Sequence, residues 1–130
     1  MSGIIGLSSP NGGKIRLKAE DNLTTTEDVV IPEGGFLGYG QTWQDVTSSR
    51  QLDTTYTNDT GKPIMISVIG VNNGRGHFIL KINGIDTAAC SFNDGNGYRG
   101  GLAIIIPNGS TYLLKKMGSG VSVHAWSELR

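Results

Sequence analysis

Two polar, glycine-rich segments hold the side chains best suited to ligand chemistry: Val71-Asn72-Asn73-Gly74-Arg75-Gly76, and Asn93-Asp94-Gly95-Asn96-Gly97-Tyr98-Arg99-Gly100-Gly101. Together they carry amide, carboxylate, phenol and guanidinium groups. Planar polar groups of this kind make paired hydrogen bonds to sugar hydroxyls, and an aromatic face stacks on the C–H surface of a sugar ring. Asn72, Asn73, Arg75, Asp94, Asn96, Tyr98 and Arg99 are therefore the candidate ligand-binding residues. The plain alternative is a pair of solvated β-loops. The expected strand order places both segments at the same end of the domain.

Other chemistries lack the residues they need. Gly95-Asn96-Gly97-Tyr98-Arg99-Gly100 spells a dinucleotide fingerprint, but that site requires a helix whose N-terminus meets the pyrophosphate. Here Leu102 to Ile106 follows, which reads as a strand. Asp94, Asn96 and Gly97 match half a calcium loop without the closing Glu. The carboxylates Glu20, Glu27, Asp28, Asp45, Asp53, Asp86 and Asp94 form no spaced acid–base pair. His77 and His124 are isolated and read as structural. Cys90, the single cysteine, sits among small residues and reads as a buried thiol. Asp45 and Arg50 bracket a turn and are expected to pair structurally. No catalytic residue, metal or cofactor is expected.

Composition narrows the class further. Eleven basic residues balance eleven acidic ones in 130 residues, and positive charge does not cluster. Nucleic acid and anionic membrane are therefore not expected partners. No apolar run approaches the ~20 residues that span a bilayer, so membrane insertion is not expected. Met1 to Pro10 lacks the basic-then-apolar pattern of a secretory leader, so export by the standard route is not expected. The three sequons at Asn22, Asn58 and Asn108 accordingly read as turns. Twenty glycines beside only 37% hydrophobic residues fit many short strands joined by turns. No segment carries a helical stripe.

The elements that must position the loops follow from alternation and turn chemistry. Residues 1–40 form a β arm and joint: Ile4 to Leu7 is apolar, Ser8 to Gly13 turns, and Lys14-Ile15-Arg16-Leu17-Lys18 alternates as a strand. Glu20 to Glu27 is a loop, and Val29 to Pro32 a second strand. Gly34 to Gly40 makes a short joint that Phe36 and Tyr39 are placed to anchor. Residues 41–130 form the main domain, with seven further strands from Thr42 onward. Trp43 to Val46, Leu52 to Thr57 and Pro63 to Ile69 come first, the last apolar on both faces and hence central or doubly covered. Asn83-Gly84 between β runs is the preferred two-residue hairpin, putting Phe78, Leu80 and Ile82 on one side. Leu102 to Ile106 and Thr111 to Lys115 follow. In the last strand Val121, Val123, Ala125 and Leu129 share one face, opposite Ser122, His124, Trp126 and Glu128. Trp126 is then either a second-sheet contact or a subunit interface. The expected fold is all-β, an antiparallel β-sandwich head with a short N-terminal arm.

Several stretches in joint order resemble the C-terminal head of bacteriophage tail-fibre proteins. They are Trp43-Gln44-Asp45-Val46-Thr47 with Ser49-Arg50, Tyr56-Thr57-Asn58, Gly61-Lys62-Pro63-Ile64, and the ending Trp126-Ser127-Glu128-Leu129-Arg130. Gly13 to Ala19 leading to Val29-Val30-Ile31-Pro32 is similar to a repeat of the fibre shaft, in which three chains share the core. The resemblance runs from about Lys14 to the C-terminus. It implies the distal tail fibre of a phage, prophage or tailocin: a homotrimer joined to an upstream fibre shaft and located on the virion. Its tip would adhere, without catalysis, to a bacterial surface polysaccharide or lipopolysaccharide, and the resemblance favours the interface role for Trp126. A structural virion adaptor or decoration domain is the alternative, with a capsule depolymerase behind it. The chemistry of Gly40 to Gly70 is that of scaffold, which leaves recognition to the later loops.

Overall fold

The computed structural model of the protein describes residues 14–16, 28–30, 36–93 and 95–130. Expectations for residues 1–13, 17–27 and 31–35, and for Asp94, lie outside the described residues. The chain divides after Phe36. In the first unit, β1 (Lys14–Arg16) pairs antiparallel with β2 (Asp28–Val30), Ile15 opposite Val29.

The second unit holds eight strands against the seven expected, with the two β runs that flank Asn83-Gly84 present as separate strands. They are β3 (Trp43–Asp45), β4 (Thr55–Thr57), β5 (Ile64–Asn72), β6 (Gly76–Ile82), β7 (Ile85–Phe92), β8 (Arg99–Ile106), β9 (Thr111–Met117) and β10 (Val121–Leu129). Among the described residues the only helical element is a 3-10 turn, Thr47–Ser49. Two four-stranded antiparallel sheets, ordered β3-β10-β5-β8 and β4-β9-β6-β7, share one core, as a β-sandwich requires.

The alternation in each strand decides what enters that core. Ile64, Ile66 and Val68 of β5 meet Phe78 and Leu80 of β6 and Tyr112 and Leu114 of β9, all buried. β5 is central, as its apolar run implied, but among the described residues only one of its faces is covered: Ile69 is exposed. Asn83 and Gly84 take φ of 50° and 79°, the left-handed pair that closes a two-residue hairpin, and Ile82 pairs with Ile85 across it. Gly70 and Gly100 face each other in register. A β-carbon on Gly70 would fall 2.5 Å from the Phe78 ring, so the missing side chain there makes room for the edge-to-face pair of Phe78 and Phe92, 6.2 Å apart.

Three expectations are corrected. The strand expected from Leu52 begins at Thr55, because Asp53 adopts a φ of 57° and turns the chain. The last strand carries a bulge between Val123 and Ala125, and one extra residue inverts the alternation beyond it. Trp126 and Glu128 therefore point inward, fully buried, while Ala125 and Leu129 turn outward with their register partners Ile69 and Met65. Trp126 is a core residue and packs edge-on against Tyr56, 6.3 Å away. Phe36 and Tyr39 are exposed. The anchor is Gln41, whose Nε2 donates to the carbonyls of Pro63 (2.8 Å) and Leu129 (3.3 Å), and whose Oε1 accepts from the Gly38 N–H.

Candidate functional site

Three connections meet at one end of the sandwich: Asn72 to Gly76, Asn93 to Arg99, and Met117 to Val121. Backbone hydrogen bonds lock them together. The Asn72 N–H donates to the Tyr98 carbonyl and the Gly97 N–H to the Asn72 carbonyl, both at 3.1 Å. The Asn73 N–H donates to Gly120 at 2.7 Å, and the Gly120 N–H to Arg75 at 3.2 Å. A β-carbon at Gly120 would lie 2.3 Å from the carbonyl carbon of Gly74, so this seam closes only around glycine. The two candidate loops thus converge, as the strand order implied. The third, Met117 to Val121, was not singled out by its residues.

The individual candidates fare differently. Asn73, Arg75, Asn96, Tyr98 and Arg99 are exposed, Tyr98 by 63%. Among the described residues none of these five side chains has a hydrogen-bonding partner. Asn72 is enclosed beneath the loops at 1% exposure, its Oδ1 without a partner among the described residues, and braces them through its backbone. Arg99 opens β8 opposite Val71, on the outer face of the β3-β10-β5-β8 sheet. Arg75 lies beside His77 at the outer face of the other sheet. The tip therefore presents guanidinium groups towards two sides, with Tyr98 and Asn96 on the connection between them. Arg99–Ile106 is a strand, so the Gly95–Gly100 fingerprint has no helix to offer a phosphate.

A shallow groove of about 380 Å³ opens beside this tip, lined by Arg75, Gly76, His77, Ser91, Phe92, Asn93, Met117 and Gly118. Of these only Arg75 was a candidate from sequence. His77 pairs in register with Ser91 on β7 and with Met117 on β9, and no sequence proximity links the three. The same register sends Cys90, opposite Phe78, towards the core, where burial pushes its thiol pKa up. Cys90 and His77 thus face opposite sides of one sheet. Among the described residues no three His, Cys, Asp or Glu side chains converge as a metal site would need.

The opposite end is built on side-chain bonds. Arg50 forks onto the buried Glu128, Nε to Oε1 at 2.8 Å and Nη2 to Oε2 at 2.9 Å, rather than pairing with Asp45 as expected. Arg130 Nη1 (3.0 Å) and the Tyr112 hydroxyl (2.9 Å) complete the carboxylate's partners. Arg50 also stacks 4.6 Å over the Tyr56 ring. Glu128 holds the guanidinium pKa up. Burial and the neighbouring carboxylate push Tyr112 up to about 12. Asp45 accepts from the Thr47 hydroxyl and N–H instead, which lowers its pKa. Thr47 Oγ1 in turn accepts from the Trp126 N–H at 2.9 Å. Asn58, fully buried, donates to the carbonyls of Lys62 and Ile106 and accepts from the Thr60 hydroxyl.

Comparison of the chain with protein-family models, with curated proteins and with solved structures returned no match.

Proposed function

We propose that the protein is the tip of a phage-type tail fibre and adheres, without catalysis, to a bacterial surface glycan. One observation carries the reading. Two polar loops distant in sequence are, among the described residues, fixed to each other through backbone hydrogen bonds, and Asn73, Arg75, Asn96, Tyr98 and Arg99 stay exposed. A rigid frame that holds amides, guanidinium groups and an aromatic ring in solvent suits sugar recognition, because little ordering entropy is lost on contact. The resemblance of Trp43 to Arg50, Tyr56 to Asn58, Gly61 to Ile64 and Trp126 to Arg130 to tail-fibre heads supplies the biological setting. Those residues build the fold rather than the tip, which fits stretches that identify a domain instead of its receptor.

In this reading three chains assemble on the distal fibre of the virion, continuous with an upstream shaft. The row Trp43, Leu129, Met65 and Ile105 crosses the outer face of one sheet in register. With Trp43 52% and Ile105 49% exposed, it is apolar surface that association between copies would cover. Three tips on one fibre make individually weak sugar contacts effective by raising local concentration.

The test is binding of fluorescently labelled protein to a panel of bacterial strains. Binding is expected to at least one strain, to be lost on removal of surface polysaccharide, and to be abolished by Tyr98→Ala with Arg99→Ala in a folded protein. Undiminished binding by that double variant removes the loop from the site, and binding to no strain favours a structural role in the particle.

A further inference from the structure

The groove beside the tip differs in chemistry from the tip itself. Its described lining holds a guanidinium (Arg75), an imidazole (His77), a hydroxyl (Ser91) and an amide (Asn93), with Met117 as apolar surface, while the ring of Phe92 turns into the core. It has no Asp or Glu among those residues. Lys115, opposite Ile79 in the next register row, adds a second cation on the same sheet face. A volume of about 380 Å³ lies near the lower limit of sites for small ligands, ~300–1,000 Å³.

We propose that this groove is a subsite for an acidic sugar, one bearing a carboxylate or phosphate group, with Arg75 taking the anion and Ser91 and Asn93 the ring hydroxyls. The inference rests on the glycan-binding reading and narrows it to a ligand class. Arg75 suits the task because its planar fork matches both carboxylate and phosphate oxygens in pairs. Ser91 and His77 sit directly opposite each other on β7 and β6, so a hydroxyl and a ring nitrogen line one wall at fixed spacing. Met117, opposite His77 on the other side, offers polarizable surface to sugar C–H groups. The backbone bond from the Gly120 N–H to the Arg75 carbonyl fixes the base of the arginine while its side chain stays exposed. A neutral sugar leaves that guanidinium unanswered; an acidic one does not.

Titration of the full-length chain with glucuronic acid, glucose 6-phosphate and glucose, followed by amide chemical shifts, tests this directly. An acidic probe is expected to move the amides of residues 75–77, 91–93 and 117–118, whereas glucose at the same concentration leaves them in place. Response to glucuronic acid alone assigns a carboxylated sugar, response to glucose 6-phosphate alone a phosphorylated one, and response to both the shared anion. Arg75→Gln should weaken the acidic probe roughly tenfold or more, the scale of one charge-assisted hydrogen-bonded contact, and Arg75→Lys should retain part of the affinity. Arg75 is exposed, so both variants are expected to fold, which an unchanged spectrum elsewhere verifies. Silence of the groove towards both acidic probes, an equal response to glucose, or unaltered affinity in Arg75→Gln overturns the proposal. Wild-type protein that binds cells while its groove ignores both acidic probes refutes the acidic subsite alone. Protein that binds no cells refutes the adhesion reading, whatever the groove does.

Discussion

The two ends of the sandwich use the same residue types for opposite purposes. At the end where β10 finishes and β9 begins, Asn58 and Asn83 spend their amides on backbone groups and neighbouring hydroxyls. Arg50 forks onto a carboxylate with no solvent exposure. At the other end Asn73, Asn96, Arg75 and Arg99 are exposed and bond to no described side chain, while the backbone beneath them is paired loop to loop. A polar side chain that is fully bonded inside the protein has little left for a ligand. One held on a satisfied backbone with its side chain in water is available. Composition alone does not separate the two cases; what each amide touches does.

This contrast is broken most severely by Glu128→Ala. Removing the carboxylate strands Arg50 in a mostly buried position and frees Tyr112 and Arg130. The expected loss is about 3–5 kcal/mol in denaturant unfolding, and a loss under 1 kcal/mol would mean that the network is incidental. Asn58→Ala comes next, at about 1–3 kcal/mol, because the carbonyls of Lys62 and Ile106 lose their donor.

A smaller effect belongs to alkaline pH. Folding raises the Tyr112 pKa from 10.0 to about 12, so the native state keeps a proton that the unfolded chain releases. The stabilisation this reflects is whole below pH 10 and is lost as pH rises from 10 towards 12. Ultraviolet titration should find a phenol that ionises near pH 12, and Tyr112→Phe should abolish that late step. The smallest stability effect is expected at the loop end. Alanine at Asn73, Asn96, Tyr98 or Arg99 should change stability by no more than about 0.5 kcal/mol each, by the same unfolding measurement.

Much of this arrangement is legible in the chain, and the failures have physical causes. Asn83-Gly84 announces its hairpin because both residues tolerate positive φ. The Pro63 to Ile69 run announces a central strand because both of its faces are apolar. For Trp126 the second-sheet contact holds and the subunit interface does not, since it packs on Tyr56 of the other sheet. The alternation puts it on the wrong face because of a bulge at Val123–Ala125, and no residue type there advertises an extra position. Arg50 was given to Asp45, a near neighbour, because sequence weighs proximity; its true partner lies 78 residues away on a strand whose inward face was misread. The convergence of the two loops followed from strand order. The groove did not, since Ser91, Asn93 and Met117, unremarkable alone, come from strands and loops remote in sequence from Arg75, the one lining residue that sequence picks out.

A crossover between the two ends tests their division of labour most directly. Labelled Asn58→Ala and the double variant Asn73→Ala with Asn96→Ala should be compared with wild type for thermal midpoint and for binding to a responsive bacterial strain below every midpoint. Asn58→Ala is expected to melt earlier yet bind as wild type does, and the double variant to melt as wild type does yet bind weakly. Equal binding by the double variant and wild type, or loss of binding in folded Asn58→Ala, would contradict the division of labour proposed for the two ends.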